Sequence, residues 1–164
     1  MTDTIITMTE VERATLEFVE KHRKSYLESG GRLGHVLDYR RLGGHRFTTC
    51  LLLETSGRKS GERRVTPLIY GDTGGEIVIV ASKGGADVHP AWYWNVKAMG
   101  AVTLQIGGQA FACTWREPEG AEREAIWQFM AGVYPPYRNY QAATSRTIPI
   151  VAFQPGDEVE PLKV

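Results

Sequence analysis

The strongest constraint on this chain is a set of extended apolar segments joined by turns too short to hold a helix. Ala101 to Ile106 and Gln109 to Arg116 are separated only by Gly107-Gly108, a hairpin signature. Arg64 to Gly71 and Glu76 to Ser82 are separated by Asp72-Thr73-Gly74-Gly75, a second one. Phe47 to Thr55 reads as a buried strand and meets Arg64 across the turn Gly57-Arg58-Lys59-Ser60-Gly61. Parallel neighbours need a crossover of a dozen residues or more, so these partners are antiparallel and a doubly wound sheet is excluded. The clearest strand holds Ile77-Val78-Ile79-Val80-Ala81, mostly β-branched. Pro67 places its own strand at a sheet edge or a bulge.

Helical patterns surround these strands. Thr9 to about Glu28 reads as a helix, with Thr9 as cap and Glu12 as its capping-box partner. Val11, Ala14, Phe18, Val19, His22 and Tyr26 fall at three- and four-residue steps, and Gly30-Gly31 stops the run. Pro90 to Met99 is a short helix with proline near its start. Pro118 opens a helix to about Val133, with Ala121, Ala125, Trp127, Phe129 and Met130 on or near its buried side, and Pro135-Pro136 breaks it. Ile148 to Phe153 is a last strand. The order helix, three strands, helix, two strands, helix, strand specifies an α+β domain built on a closed or nearly closed β-barrel. Residues 1–30 form an N-terminal amphipathic helix and residues 31–164 the barrel domain.

At 164 residues and 42% hydrophobic content, one core suffices and disorder is excluded. Cys50 and Cys113 match no metal or disulfide array and read as small core residues. The start, Met1 to Ile6, lacks the features of a signal peptide, and the longest apolar run is far short of a membrane span. A cytoplasmic location is expected. The charge balance is zero overall but not locally. Residues 32–64 hold eight basic side chains against three acidic, a block of +5. That suggests a small anionic partner rather than nucleic acid, which calls for basic charge over a whole face; a solvated surface with both signs nearby is the alternative.

Familiar catalytic devices are missing. The chain has no phosphate loop, no dinucleotide-binding glycine pattern, no nucleophile elbow and no metal-ligand spacing among His22, His35, His45 and His89. What remains is aromatic rings, hydroxyls, lysines and arginines beside glycine turns, a toolkit for an organic anionic cofactor that carries its own reactivity. Four stretches supply it. Gly57 to Arg64 offers backbone N–H groups plus Arg58, Lys59 and Arg64 to an anion. Ala81-Ser82-Lys83-Gly84-Gly85 follows the strongest strand and lets a flat ligand approach the backbone. His89-Pro90-Ala91-Trp92-Tyr93-Trp94-Asn95 carries more rings than one core face accepts. Tyr134-Pro135-Pro136-Tyr137-Arg138-Asn139-Tyr140 sets three tyrosines at three-residue spacing along a pocket wall. Taken singly, each also reads as ordinary structure: a basic turn, a strand end, a core helix, a surface aromatic cluster.

In this order and spacing, with Pro67-Leu68 and the closing Arg146-Thr147-Ile148-Pro149-Ile150-Val151, the four stretches resemble the deazaflavin-dependent nitroreductase family. These are split-barrel oxidoreductases using reduced coenzyme F-420, an 8-hydroxy-5-deazaflavin. The resemblance covers about residues 35–153. It implies a split β-barrel of the FMN-binding type and hydride transfer to a quinone, an enone or a nitro-aromatic acceptor. It implies that Arg58, Lys59, Ser60 and Arg64 hold the phosphate and glutamate tail, with Pro67 nearby. Val80, Ala81, Ser82 and Lys83 would follow the deazaflavin edge, and Pro90, Ala91, Trp92 and Asn95 would meet the ring or its ribityl chain. Tyr134, Tyr137 and Tyr140, with Ser82, would shape the acceptor pocket and move the balancing proton; no metal is implied. Ile69 departs from the pattern, standing where an aromatic side chain is expected near the cofactor.

Two other readings share these residues: the same barrel binding FMN, and a non-catalytic carrier of the deazaflavin. The N-terminal helix and the basic block also suit peripheral contact with a membrane surface, which is compatible with a quinone reductase.

Overall fold

A computed structural model describes residues 10–164 of the chain, so the expected cap at Thr9 lies outside the described residues. The elements in chain order are α1 (Glu10–Glu28), β1 (Val36–Leu37), β2 (Thr48–Ser56), β3 (Arg63–Ile69), β4 (Gly71–Asp72), β5 (Ile77–Val80), α2 (Ala91–Lys97), β6 (Val102–Ile106), β7 (Gln109–Arg116), α3 (Gly120–Val133), α4 (Pro136–Ala142) and β8 (Ile150–Val159).

Every strand pairing is antiparallel. The sheet runs β1-β2-β6-β7-β8-β5-β4, and β3 lies on the other edge of β2. Only Tyr70 separates β3, which pairs with β2, from β4, which pairs with β5. The bend at Tyr70 therefore brings the two ends of the sheet together into a split barrel. Pro67 sits opposite Leu52 on β3, whose far side has no strand partner among the described residues. The missing proline N–H costs nothing there.

Alternation along β5 explains its unbroken β-branched sequence. Ile77 and Ile79 point into the barrel with Leu51, Leu53, Leu104, Val151 and Phe153. Val78 and Val80 point outward under α3 and α4, against Met130, Tyr134, Tyr137, Ile148 and Ile150. A strand covered on both faces needs apolar residues at every position.

Two helices differ from the expected pattern. On α1 only the later part of the proposed stripe packs: Phe18 and Val19 are exposed by 46% and 37%, and Ala14 is exposed as well. The buried face comes later, at His22, Tyr26 and Leu27. Tyr26 is fully buried; its hydroxyl donates to the carbonyls of Cys50 (3.0 Å) and Gln105 (3.3 Å) and accepts the Gly107 N–H at 2.8 Å. Helical periodicity was correct, and the tether is the stripe's last member, a polar-tipped ring, rather than its earlier apolar residues. At the helix end, Gly31 has φ +84°, and a Cβ there would collide with the Gly107 carbonyl. On α3, Ala121, Ala125 and Phe129 face solvent, while Met130 and Ala131 are buried. Pro135-Pro136 ends α3 as expected but also opens a new helix, because proline is tolerated in a first turn.

Candidate active site

The β2–β3 turn is closed by its own backbone. Gly57 N–H donates to Glu62 O and Gly61 N–H to Gly57 O, both at 2.7 Å. Ser60 Oγ accepts the Glu62 N–H at 3.1 Å. Asn95 of α2 reaches the turn and accepts the Arg58 N–H on its side-chain oxygen at 3.0 Å. A cavity of about 270 Å³ results, lined by Gly57, Arg58, Lys59, Ser60, Arg64, Ala91 and Asn95. Six residues expected to contact the cofactor thus surround one space. Arg64 is paired with Glu62 at 3.2 Å. Arg58 and Lys59 have no carboxylate partner among the described residues. Two uncompensated cations, a hydroxyl and an arginine fork fit a multiply negative tail.

The segment after β5 is held in an unusual shape. Lys83 has φ 45°, the one non-glycine residue with positive φ among the described residues, and Gly84 and Gly85 follow at 63° and 85°. Gly85 packs so tightly against α4 that a Cβ would lie 3.0 Å from the Tyr140 backbone. This contact joins the Ser82-Lys83 loop to the tyrosine helix. Ser82 is 9% exposed, and Val80 and Ala81 are buried in the outer and inner cores respectively.

The His89-to-Asn95 stretch divides as its ring count required. Pro90 precedes α2 as its cap residue. Trp92 and Tyr93 are buried in the barrel core at 7% and 5% exposure, and Trp94 is 40% exposed. The ring open to solvent is therefore Trp94, with Ala91 and Asn95 lining the cavity at the β2–β3 turn.

The three tyrosines cluster. Tyr134 and Tyr137 rings lie 5.0 Å apart, edge to face. The hydroxyls of Tyr134 and Tyr140 are 3.5 Å apart. Burial raises the pKa of both Tyr134 and Tyr137 above the ordinary value, so both hydroxyls stay protonated at neutral pH. Tyr137 is 4% exposed, and its hydroxyl has no hydrogen-bond partner among the described residues.

Two further residues join the site. Tyr39, from the connection read as irregular, meets Tyr134 edge to face at 5.6 Å. It also lines a cavity of about 460 Å³ with Ala14, Thr15, Phe18, Asp38, Arg41 and Leu42. Arg146 lies just before β8, in a stretch the sequence marked but to which it gave no role. Its guanidinium donates to the carbonyls of Ala81 (3.3 Å), Ser82 (2.7 Å) and Ala86 (2.6 Å) and to His89 Nδ1 (2.8 Å). Flanked by Ser145 and Thr147, it carries no local sequence signal for this role.

Cys50 and Cys113 are free and buried, which pushes their thiols up to about 12 and about 11. No group of three metal-ligating side chains occurs among the described residues.

A split barrel with a cationic cavity at the β2–β3 turn, a glycine-bent loop and a cluster of protonated tyrosines suits the flavin- and deazaflavin-binding oxidoreductase class. Residues 20–155 match the model of the F420H(2)-dependent quinone reductases, and the chain belongs to that family. It is 35% identical over 139 residues to an F420H(2)-dependent quinone reductase of Mycobacterium tuberculosis strain H37Rv, covering 83% of this chain and 89% of the relative. Among solved structures it resembles an F420-H2 dependent reductase (FDR-A) at 43% identity and TM-score 0.59, over 64% of this chain and 93% of that one. A second structure, described as a domain-swapped dimer, matches at 39% identity and TM-score 0.62, over 85% and 99%. Family membership decides the cofactor in favour of F-420 over FMN and makes the chain an oxidoreductase rather than a carrier.

Proposed function

We propose that this enzyme uses reduced coenzyme F-420 to reduce a quinone, gripping the cofactor tail at the β2–β3 turn and receiving the acceptor beneath Tyr134 and the tyrosines of α4. When bound, the reduced deazaflavin supplies a hydride. The observation that carries the reading is the tail cavity, where Arg58, Lys59, Ser60 and Arg64 converge with Ala91 and Asn95. Holding donor and acceptor in register is the larger part of such catalysis.

In this reading the other residues have distinct tasks. Val80, Ala81, Ser82 and Lys83 border the flat head, which the curvature at Lys83-Gly84-Gly85 lets approach the backbone. Tyr137, protonated and without a protein partner, donates a hydrogen bond to the acceptor oxygen. Tyr134 and Tyr140 pass the balancing proton between their hydroxyls. The buried walls around them exclude water. Enones and activated nitro-aromatics are further acceptors of the same geometry, since each presents a polarisable oxygen beside an electron-poor carbon.

The test mixes the protein with reduced F-420 and a panel of quinones, enones and nitro compounds while following cofactor absorbance. Acceptor-dependent oxidation supports the reading. Binding of the cofactor without oxidation by any acceptor overturns the catalytic part.

A surface feature bears on where the acceptor is met. Leu16, Phe18, Leu33, Val36, Leu42 and Phe47 are exposed; Phe18 lines one cavity with Arg32, Leu33 and Val36 and another with Arg41 and Leu42. An apolar, basic-rimmed surface suits peripheral contact with an anionic bilayer. No described helix is long and apolar enough to cross a membrane. Co-sedimentation with phosphatidylglycerol vesicles, with and without residues 1–30, tests this; recovery in the supernatant in both cases overturns it.

A further inference from the structure

We propose that Arg146 is the positioning residue that shapes the Ala81–His89 loop into the seat for the deazaflavin head. The inference rests on the assignment of that loop to the head, made above.

The loop is strained and cannot hold its shape by itself. Lys83 adopts φ 45°, a left-handed backbone region that a residue with a side chain rarely adopts and that persists only where its surroundings over-determine it. The local bonds are few: Gly85 N–H to Ser82 O at 3.0 Å and Ala86 N–H to Lys83 O at 3.2 Å. The guanidinium of Arg146 adds four bonds, more than any other side chain gives the loop among the described residues. It accepts nothing and donates on both sides of the strained residue, to Ala81 and Ser82 before it and to Ala86 and His89 after it. One rigid planar fork thus fixes the distance across the bend.

Arg146 is itself fixed. Its carbonyl accepts from Gln141 Nε2 at 2.7 Å, and the Gln141 side-chain oxygen accepts the Ile148 N–H at 2.9 Å. Gln141 belongs to α4, one residue after Tyr140. The arginine therefore couples the loop that borders the head to the helix that carries the tyrosines. The loop's own carboxylate, Asp87, accepts from Thr144 Oγ1 at 2.9 Å and does not form an ion pair with Arg146 within 4 Å among the described residues. The cation is spent on backbone carbonyls, which is the pattern of a latch rather than of a ligand-binding arginine. Lysine, with a point charge and no fork, cannot reproduce four divergent bonds.

The test compares Arg146→Lys with the unaltered protein by calorimetric titration of two probes: coenzyme F-420, and the tail-less 8-hydroxy-5-deazariboflavin head. A thermal melt of each sample verifies folding. The expected result is a loss of affinity of about tenfold for both probes, with a matching rise in KM for reduced F-420. Lys59→Ala provides the contrast, losing affinity for F-420 while keeping it for the tail-less head. Equal affinity of Arg146→Lys and the unaltered protein for the head overturns the positioning role, as does a loss confined to F-420. If Arg146→Lys does not fold, His89→Ala removes one of the four acceptors; a smaller loss in the same direction supports the role and none overturns it. Failure of the unaltered protein to bind F-420 is a separate result, since it removes the underlying assignment.

Discussion

The side-chain oxygen of Asn95 accepts the backbone N–H of Arg58 at 3.0 Å, tying α2 to the β2–β3 turn. The bond orients the turn so that Arg58, Lys59 and Ser60 face Ala91 across the tail cavity. Asn95→Ala leaves a partly buried N–H without its acceptor, a cost of about 1–3 kcal/mol. The turn should loosen, and F-420 affinity should fall more than that of the tail-less head. Titration of both ligands checks this; equal losses would assign Asn95 to the head instead.

Lys59 has no carboxylate partner among the described residues, so it is free to meet an anion. Lys59→Ala should weaken F-420 binding by about 1–3 kcal/mol, the range for a charged hydrogen bond. The difference between variant and parent should shrink as salt is raised, because the turn is exposed and screened. Affinity that is unchanged at low salt would remove Lys59 from the cofactor tail.

Tyr137 and Tyr134 both hold their protons firmly, since burial raises each above the ordinary tyrosine value. Tyr137→Phe should reduce turnover on the order of a hundredfold, the scale of a positioned proton donor, while F-420 affinity stays the same. The tyrosines should impose no pH dependence on the parent enzyme between pH 6 and 9. Pre-steady-state oxidation of reduced F-420 measures both. Full turnover in the phenylalanine variant with every acceptor would leave Tyr137 a packing residue.

The parts of this site legible in sequence were those encoded locally. Gly57 to Arg64 announces a basic turn, and Ile77 to Val80 announces a strand buried on both faces. What stayed hidden depends on contacts between distant segments. Arg146 acts on carbonyls some sixty residues earlier, and no local pattern distinguishes such an arginine from a solvated one. Tyr39 lay in a glycine- and charge-rich connection whose irregularity masked its approach to Tyr134. On α1 periodicity placed the buried His22 and Tyr26 on the expected face but could not separate them from Ala14, Phe18 and Val19, which repeat at the same steps and are exposed. Likewise Pro135-Pro136 signals a helix end and a helix start with the same residues, and only the tertiary contacts of Tyr137 separate the two.

Tyr26 is the pin between α1 and the barrel. Its hydroxyl makes three hydrogen bonds to backbone groups of β2, β6 and the β6–β7 turn. Tyr26→Phe retains the ring but strands those groups, and should destabilise the fold by about 1–3 kcal/mol. Chemical denaturation would register this as a lower midpoint with an unchanged slope. An unchanged midpoint would mean that ring burial alone seats the helix.

Acid stability turns on three histidines. Burial lowers the pKa of His22, His35 and His89 from the ordinary 6.5, and the Arg146 cation lowers His89 further. The hydrogen bond from Arg146 also requires an unprotonated Nδ1 on His89. Because the folded values are depressed, the unfolded chain binds more protons than the folded one once the pH drops below about 6.5. Stability is therefore flat with respect to these groups above that pH and falls as the solution is acidified through it. Asp38 and Glu76, held low by arginines, lose their contribution only further down, below their ordinary values of 3.8 and 4.5. The interval from about pH 5 to 6.5 isolates the histidines. Thermal melts across it should show Tm declining with acidity, and His89→Ala should flatten part of that decline. A Tm that holds or rises as the pH is lowered through this interval would show that the three rings accept protons as readily in the folded protein as in the unfolded chain.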